Sequence, residues 1–147
     1  MSNDRTTPYG MWRYGNDFRK AALAVLSHYN DRAFMPYYFL IGQSIELSLK
    51  AFLLGRGMSL KELRSKKYGH DLKALLDEAH RLRLRSEVKL ENVHCAVINL
   101  LGIEYLDKRF QYIQTGMMHL PDCPRAQEVA DRLSEGLKDY SRKITGL

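Results

Sequence analysis

Apolar positions recur along this chain at three- and four-residue spacing, and no stretch alternates in the strand manner. Asn16 is a good N-cap with Asp17 just inside it, and Phe18, Ala22, Val25, Leu26 and Tyr29 form one apolar stripe. This predicts a first helix from Asn16 to about Asn30, with residues 1–14 as a tail before a core over about 15–144. A second helix runs from Pro36 to Leu54, where Gly55 and Gly57 stop it. It is apolar nearly all round, with Tyr37, Leu40, Ile41, Leu47, Ala51 and Leu54 on one side and Phe39, Leu49, Phe52 and Leu53 on others. Such a helix belongs at the centre of a bundle.

The polar stretch from Arg56 to Gly69 reads as a long connection with one helical turn. A third helix follows Gly69-His70-Asp71 and presents Leu72, Leu75, Leu76, Ala79 and Leu82. A fourth starts near Glu87 or Leu90, presents Val93, Val97, Leu100, Leu101 and Tyr105, and continues through Arg109 to Tyr112. After a turn from Gly116 to Cys123, a fifth spans about Pro124 to Ile144, with Asp122 as N-cap and Val129, Leu133, Leu137 and Tyr140 on one face. The expectation is an all-α, up-and-down antiparallel bundle of about five helices in one domain, residues 1–147. Tyr37, Tyr38, Phe39 and Phe52 are candidates for surplus apolar surface on the second helix, which predicts a homodimer.

Composition narrows the class. The two cysteines, Cys95 and Cys123, are too few for a disulfide scaffold and fit a reducing compartment. The longest charge-free apolar stretch, residues 33–45, is too short to span a bilayer, and the first twenty residues carry Asp4, Arg5, Arg13 and Asp17. A soluble, cytoplasmic protein with no membrane partner is expected. Charge is uneven along the chain. Residues 56–89 hold ten basic and five acidic groups, whereas residues 90–147 hold seven and eight, against a net charge of +6 for the whole. Clusters at Arg56/Lys61/Arg64/Lys66/Lys67 and Arg81/Arg83/Arg85/Lys89 make the middle segment a candidate polyanion surface, with Arg64, Lys66, Lys67, Arg81 and Arg85 as candidate contacts. An ordinary solvated surface is the alternative.

Gln43, Glu46 and Lys50 lie three and four residues apart, a polar stripe on an otherwise apolar helix. It is either the wall of a polar cleft or a structural ion pair that admits the helix to solvent on one side. The run Gln43-Ser44-Ile45-Glu46-Leu47-Ser48-Leu49-Lys50-Ala51 resembles the Gln-x-x-Glu-x-x-x-Lys-Ala helix of HEPN domains, the higher-eukaryote and prokaryote nucleotide-binding family. Gly69-His70-Asp71-Leu72 resembles that family's His-x-Leu opening of the next helix, and Tyr105-Leu106-Asp107-Lys108-Arg109-Phe110 its late Tyr…Arg-Tyr segment. The resemblance covers about residues 15–115. It implies a helical bundle, frequently dimeric, and a role around RNA, nucleotides or toxin–antitoxin pairs, with a nucleotidyltransferase-type protein as a possible partner. Gln43, Glu46, Lys50, Tyr105 and Arg109 are then the candidate ligand-binding residues. An Arg fork suits phosphate, which favours Arg109 as the ligand contact; a surface Arg paired with an acid is the alternative.

Many HEPN proteins are ribonucleases with an Arg-x(4–6)-His motif, in which His moves the proton and Arg steadies the phosphate. Only Arg64 and His70 fit that spacing here, and they precede the third helix instead of following the fourth. The His after Arg109 is His119, ten residues on. The reading is therefore a non-catalytic binding domain, with Arg64 and His70 as the weak catalytic candidates and His70 ordering the start of the third helix. A divergent ribonuclease toxin and a pure protein-interaction module are the competing classes.

Asp77-Glu78-Ala79-His80 spells a helicase string, but no phosphate-binding loop accompanies it, so it is accidental and no cofactor is expected. Asp77-x-x-His80 and Glu91-x-x-His94, with Glu46 and Glu104, have the spacing of a di-iron bundle. The histidines flank the apolar stripes instead of centring them, and one acid is Asp, so no metal site is assigned.

Overall fold

A computed structural model describes residues 4–30, 35–110 and 118–147. It is all-helical, with no strand among the described residues: α1 (Pro8–His28), α2 (Met35–Gly55), α3 (Leu60–Leu63), α4 (Leu72–Arg81), α5 (Asn92–Leu106) and α6 (Cys123–Thr145), with a 3-10 turn at Leu84–Ser86. The helices pack together around α2, which touches every other helix.

The first helix starts eight residues before the position predicted for it. Thr7 caps it, its hydroxyl accepting from Gly10 N–H at 3.0 Å, and Pro8 occupies the first turn, where a missing N–H costs nothing. Residues 8–14 are therefore part of the core and not of a tail. Met11 and Trp12 are buried, and Trp12 Nε1 donates to Ser134 O at 2.9 Å. Asn16 lies mid-helix, where its Oδ1 accepts from Arg19 and from the Ser134 hydroxyl. Tyr9 N–H meets Thr145 Oγ1 at 3.1 Å and Arg19 meets Asp131 at 3.0 Å, so α1 and α6 run antiparallel. Gly15 lets α1 lie close to α2: a Cβ there would stand 3.2 Å from Leu47 Cβ and 3.3 Å from Ser44 O.

α2 sits at the centre, as its all-round apolarity predicts, and α6 runs parallel to it. Tyr37 donates to Cys123 O at 3.1 Å, Tyr38 to Pro121 O at 2.8 Å, and Tyr140 of α6 to Phe52 O at 2.9 Å. Tyr37, Tyr38 and Phe52 are thus enclosed and supply none of the surplus surface predicted for α2, whereas Phe39 remains half-buried. Each such buried side chain contributes about 1.5–3 kcal/mol to folding. Among the described residues the exposed large apolar ones are Tyr14, Leu23, Tyr29, Val93, Ile103, Leu106, Ile144 and Leu147.

The connection after α2 carries the single turn α3, closed by a capping box in which Ser59 Oγ accepts from Glu62 N–H at 3.1 Å. α4 and α5 form an antiparallel hairpin. Gly102 lies against Leu72 at one end, and His80 meets Cys95 at the other. α5 stops at Leu106 and does not continue through Arg109, because Lys108 adopts a left-handed φ of 57°. Tyr112 and Gly116 lie outside the described residues. α6 begins as predicted, with Asp122 accepting from Arg125 N–H at 2.9 Å. No described helix is long and apolar enough to cross a membrane.

Candidate functional site

The polar stripe of α2 turns inward. Glu46 is 3% exposed and Lys50 8% exposed, so neither forms an open cleft wall nor admits the helix to solvent. A lone charge at such a depth is costly, and the fold answers with a full set of partners. Lys50 Nζ donates to Glu46 Oε2 at 2.9 Å. Tyr105, near the end of α5, donates its hydroxyl to Glu46 Oε1 at 2.9 Å and accepts from Gln43 Nε2 at 2.6 Å. His70, in the turn before α4, places Nδ1 2.8 Å from Glu46 Oε1. A carboxylate only accepts, so Nδ1 is the donor of that bond, and it fixes the orientation of the ring.

Three chain segments distant in sequence thus meet at one carboxylate. Burial, reinforced by the Glu46 charge and its hydrogen bond, pushes the Tyr105 phenol well above its usual range, so it stays a donor. Gly42 is what lets this ring approach α2. A Cβ at that position would lie 2.5 Å from two atoms of the Tyr105 ring. The His70 ring stands edge-on to Tyr105 with centroids 6.3 Å apart, and half of the His70 side chain remains open to solvent.

No family model, curated protein or solved structure matches the chain.

Of the candidate ligand-binding residues, Gln43, Glu46, Lys50 and Tyr105 come together. Arg109 sits on the turn after α5 and pairs with Glu104 at 3.3 Å, and its backbone N–H meets Glu104 O at 3.2 Å. His70 does not order the helix start. Asp71 caps α4 instead, accepting from Ala74 N–H at 3.0 Å, while His70 reaches across to α2.

The basic segment divides into engaged and open groups. Arg56 donates to Leu82 O at 3.0 Å and lies over the Phe52 and Tyr140 rings at 4.7 and 5.1 Å. Arg64 meets Asp4 at 2.6 Å. The Thr6 hydroxyl and then Arg64 hold the Asp4 carboxyl down to about 2. Arg81 pairs with Glu78, and Arg85 donates to Asn92 Oδ1 at 3.1 Å. Lys66 and Lys67 are exposed on the turn that ends at His70, with Lys67 Nζ 5.1 Å from the Tyr68 ring centroid.

The di-iron spacing does not close into a site. His94 accepts from Glu91 N–H at 2.9 Å and faces Glu128 at 3.3 Å, while His80 faces Cys95. Among the described residues no three metal-ligating side chains cluster. Two features escaped the sequence reading: the His70–Glu46 bond, and the approach of His80 and Arg85 to Cys95. The first had a signal in the His that directly precedes an Asp N-cap. The second had none, because it depends on how α4 and α5 close.

Proposed function

We propose that this chain is a HEPN-like helical domain that binds the phosphates of RNA or a nucleotide through the basic turn 64–70. The observation that carries this reading is the anchoring of that turn. His70 is tied to the buried Glu46, and Tyr105 is tied to the same carboxylate, so the residues of the three HEPN-like segments share one centre. The exposed Lys66 and Lys67 just before His70 are then displayed from a fixed base instead of a loose loop. Glu46, Lys50, Gln43 and Tyr105 act in this reading as positioning residues and not as ligand contacts.

Binding of this kind is electrostatic. Each phosphate contact contributes about −0.7 to the log–log salt slope for single strands, so three to five contacts give roughly −2 to −3.5. The test is a salt titration of single-stranded RNA binding with Lys66→Glu/Lys67→Glu beside the parent chain. A flatter slope and weaker binding of all sequences alike are expected. No RNA or nucleotide binding at low salt overturns the reading and leaves a protein-interaction module.

One observation favours a second reading. With Nδ1 held by a buried carboxylate and the ring half open, His70 has the arrangement of a general base. The competing ribonuclease reading gains from this. RNA cleavage that disappears in His70→Ala, with the fold retained, selects it.

A further inference from the structure

At the turn between α4 and α5, away from the Glu46 centre, Cys95 is the half-buried member of a close trio. His80 Nε2 lies 3.3 Å from Cys95 Sγ, and Arg85 Nη2 lies 3.5 Å from the same sulfur. Arg85 is itself steadied by Asn92 Oδ1 at 3.1 Å. A thiol with an imidazole within hydrogen-bond reach and a guanidinium beside the same sulfur is the setting in which a cysteine is activated as a nucleophile. Burial, and then the Arg85 charge, hold the His80 imidazole below its usual value, so at neutral pH it is free of its second proton and able to accept one. The connection that closes this end of the hairpin exposes Arg83 and Lys89 together with Glu87 and Glu91, so the cation a reagent meets at Cys95 is Arg85 itself.

We propose that Cys95 is a thiol–disulfide exchange site for small anionic disulfides, with His80 as its base and Arg85 as the group that receives the reagent's carboxylate. Cys95 Sγ attacks one sulfur of the disulfide as its S–H proton passes to His80 Nε2. The S–S bond breaks, and the departing sulfur takes the proton from His80 and leaves as a free thiol. The product is a mixed disulfide on Cys95, and the incoming disulfide supplies the whole oxidising equivalent. Cys123 is an internal control, since it is 3% exposed and sits 3.5 Å from the Tyr38 hydroxyl.

The experiment incubates the full chain at pH 7 with oxidised glutathione, or with the neutral bis(2-hydroxyethyl) disulfide, and follows intact mass and peptide maps over time. One adduct per chain is expected, at Cys95, forming faster with the anionic reagent. His80→Gln should slow both reagents about a hundredfold, and Arg85→Gln should abolish the preference for the anionic one. Circular dichroism confirms that each variant is folded. Equal rates in the parent chain and His80→Gln, equal labelling of Cys95 and Cys123, or no adduct at all overturns the proposal.

Discussion

Glu46→Ala is the perturbation that bears most directly on the centre of this molecule. The carboxylate accepts from Lys50, Tyr105 and His70 at 2.9, 2.9 and 2.8 Å, and it is 3% exposed. Its removal leaves the Lys50 ammonium, 8% exposed, without its partner and the buried Tyr105 hydroxyl without its acceptor. Breaking a buried ion pair from one side costs about 3–5 kcal/mol, most of it from the charge left behind. His70 adds little to this figure, because half of its side chain already sees water. Urea unfolding followed by circular dichroism measures the effect. With a slope near 2 kcal/mol per molar, the midpoint should fall by about 1.5–2.5 M. A shift under about 0.5 M, or roughly 1 kcal/mol by the same slope, would refute the reasoning, since the carboxylate would then not be the shared centre of the three segments.

Gly42→Ala tests the same centre without touching a polar group. The new Cβ would fall 2.5 Å from the Tyr105 ring, so the ring must leave or α5 must shift, at about 1–3 kcal/mol, and a lower thermal midpoint with faster exchange of the α5 amides is expected. His80 makes stability depend on pH in a defined direction. Its folded value is depressed, so the unfolded chain takes up a proton first as pH falls below about 6.5, and stability present above that point is lost below it. Urea midpoints at pH 7 and about pH 5.5 should show a smaller drop in His80→Gln than in the parent chain.

The sequence exposes the parts of this fold that depend on local pattern. The central place of α2, the single turn after it, the start of α4 behind Asp71 and the cap of α6 at Asp122 were all readable from periodicity and capping residues. The first two turns of α1 were not. Gly10 and Gly15 weaken the helical signal there, and Trp12 justifies the segment only through a bond to Ser134, far along the chain. The end of α5 was misplaced because nothing in the pattern demands that Lys108 turn left-handed. Counting Tyr37, Tyr38 and Phe52 as surplus surface on α2 was an error of a different kind. Periodicity counts how many faces of a helix are apolar, and only packing says how many neighbours arrive to cover them. The candidate set was legible in part: Gln43, Glu46, Lys50 and Tyr105 converge, whereas Arg109 pairs with Glu104. Its depth was not, since the same spacing serves an exposed pair and a buried one.

That depth raises the question of why a charged pair occupies the core of an apolar helix at all. Replacing a buried pair by apolar residues of similar size is often neutral or stabilising, so stability alone does not account for Glu46 and Lys50. What the carboxylate adds is a fixed point for groups from elsewhere in the chain, His70 above all. The two roles can be separated in one variant. Glu46→Leu/Lys50→Met removes both charges and keeps the volume, leaving only the Tyr105 hydroxyl without its acceptor, so its urea midpoint should stay well above that of Glu46→Ala. Yet it no longer holds His70, and the turn carrying Lys66 and Lys67 loses its tie to α2. RNA affinity at low salt should therefore fall in a protein that is still fully folded. If the double variant is stable and binds RNA as the parent chain does, the anchored turn is not the binding element. If binding falls while stability holds, the buried pair is retained for what it positions.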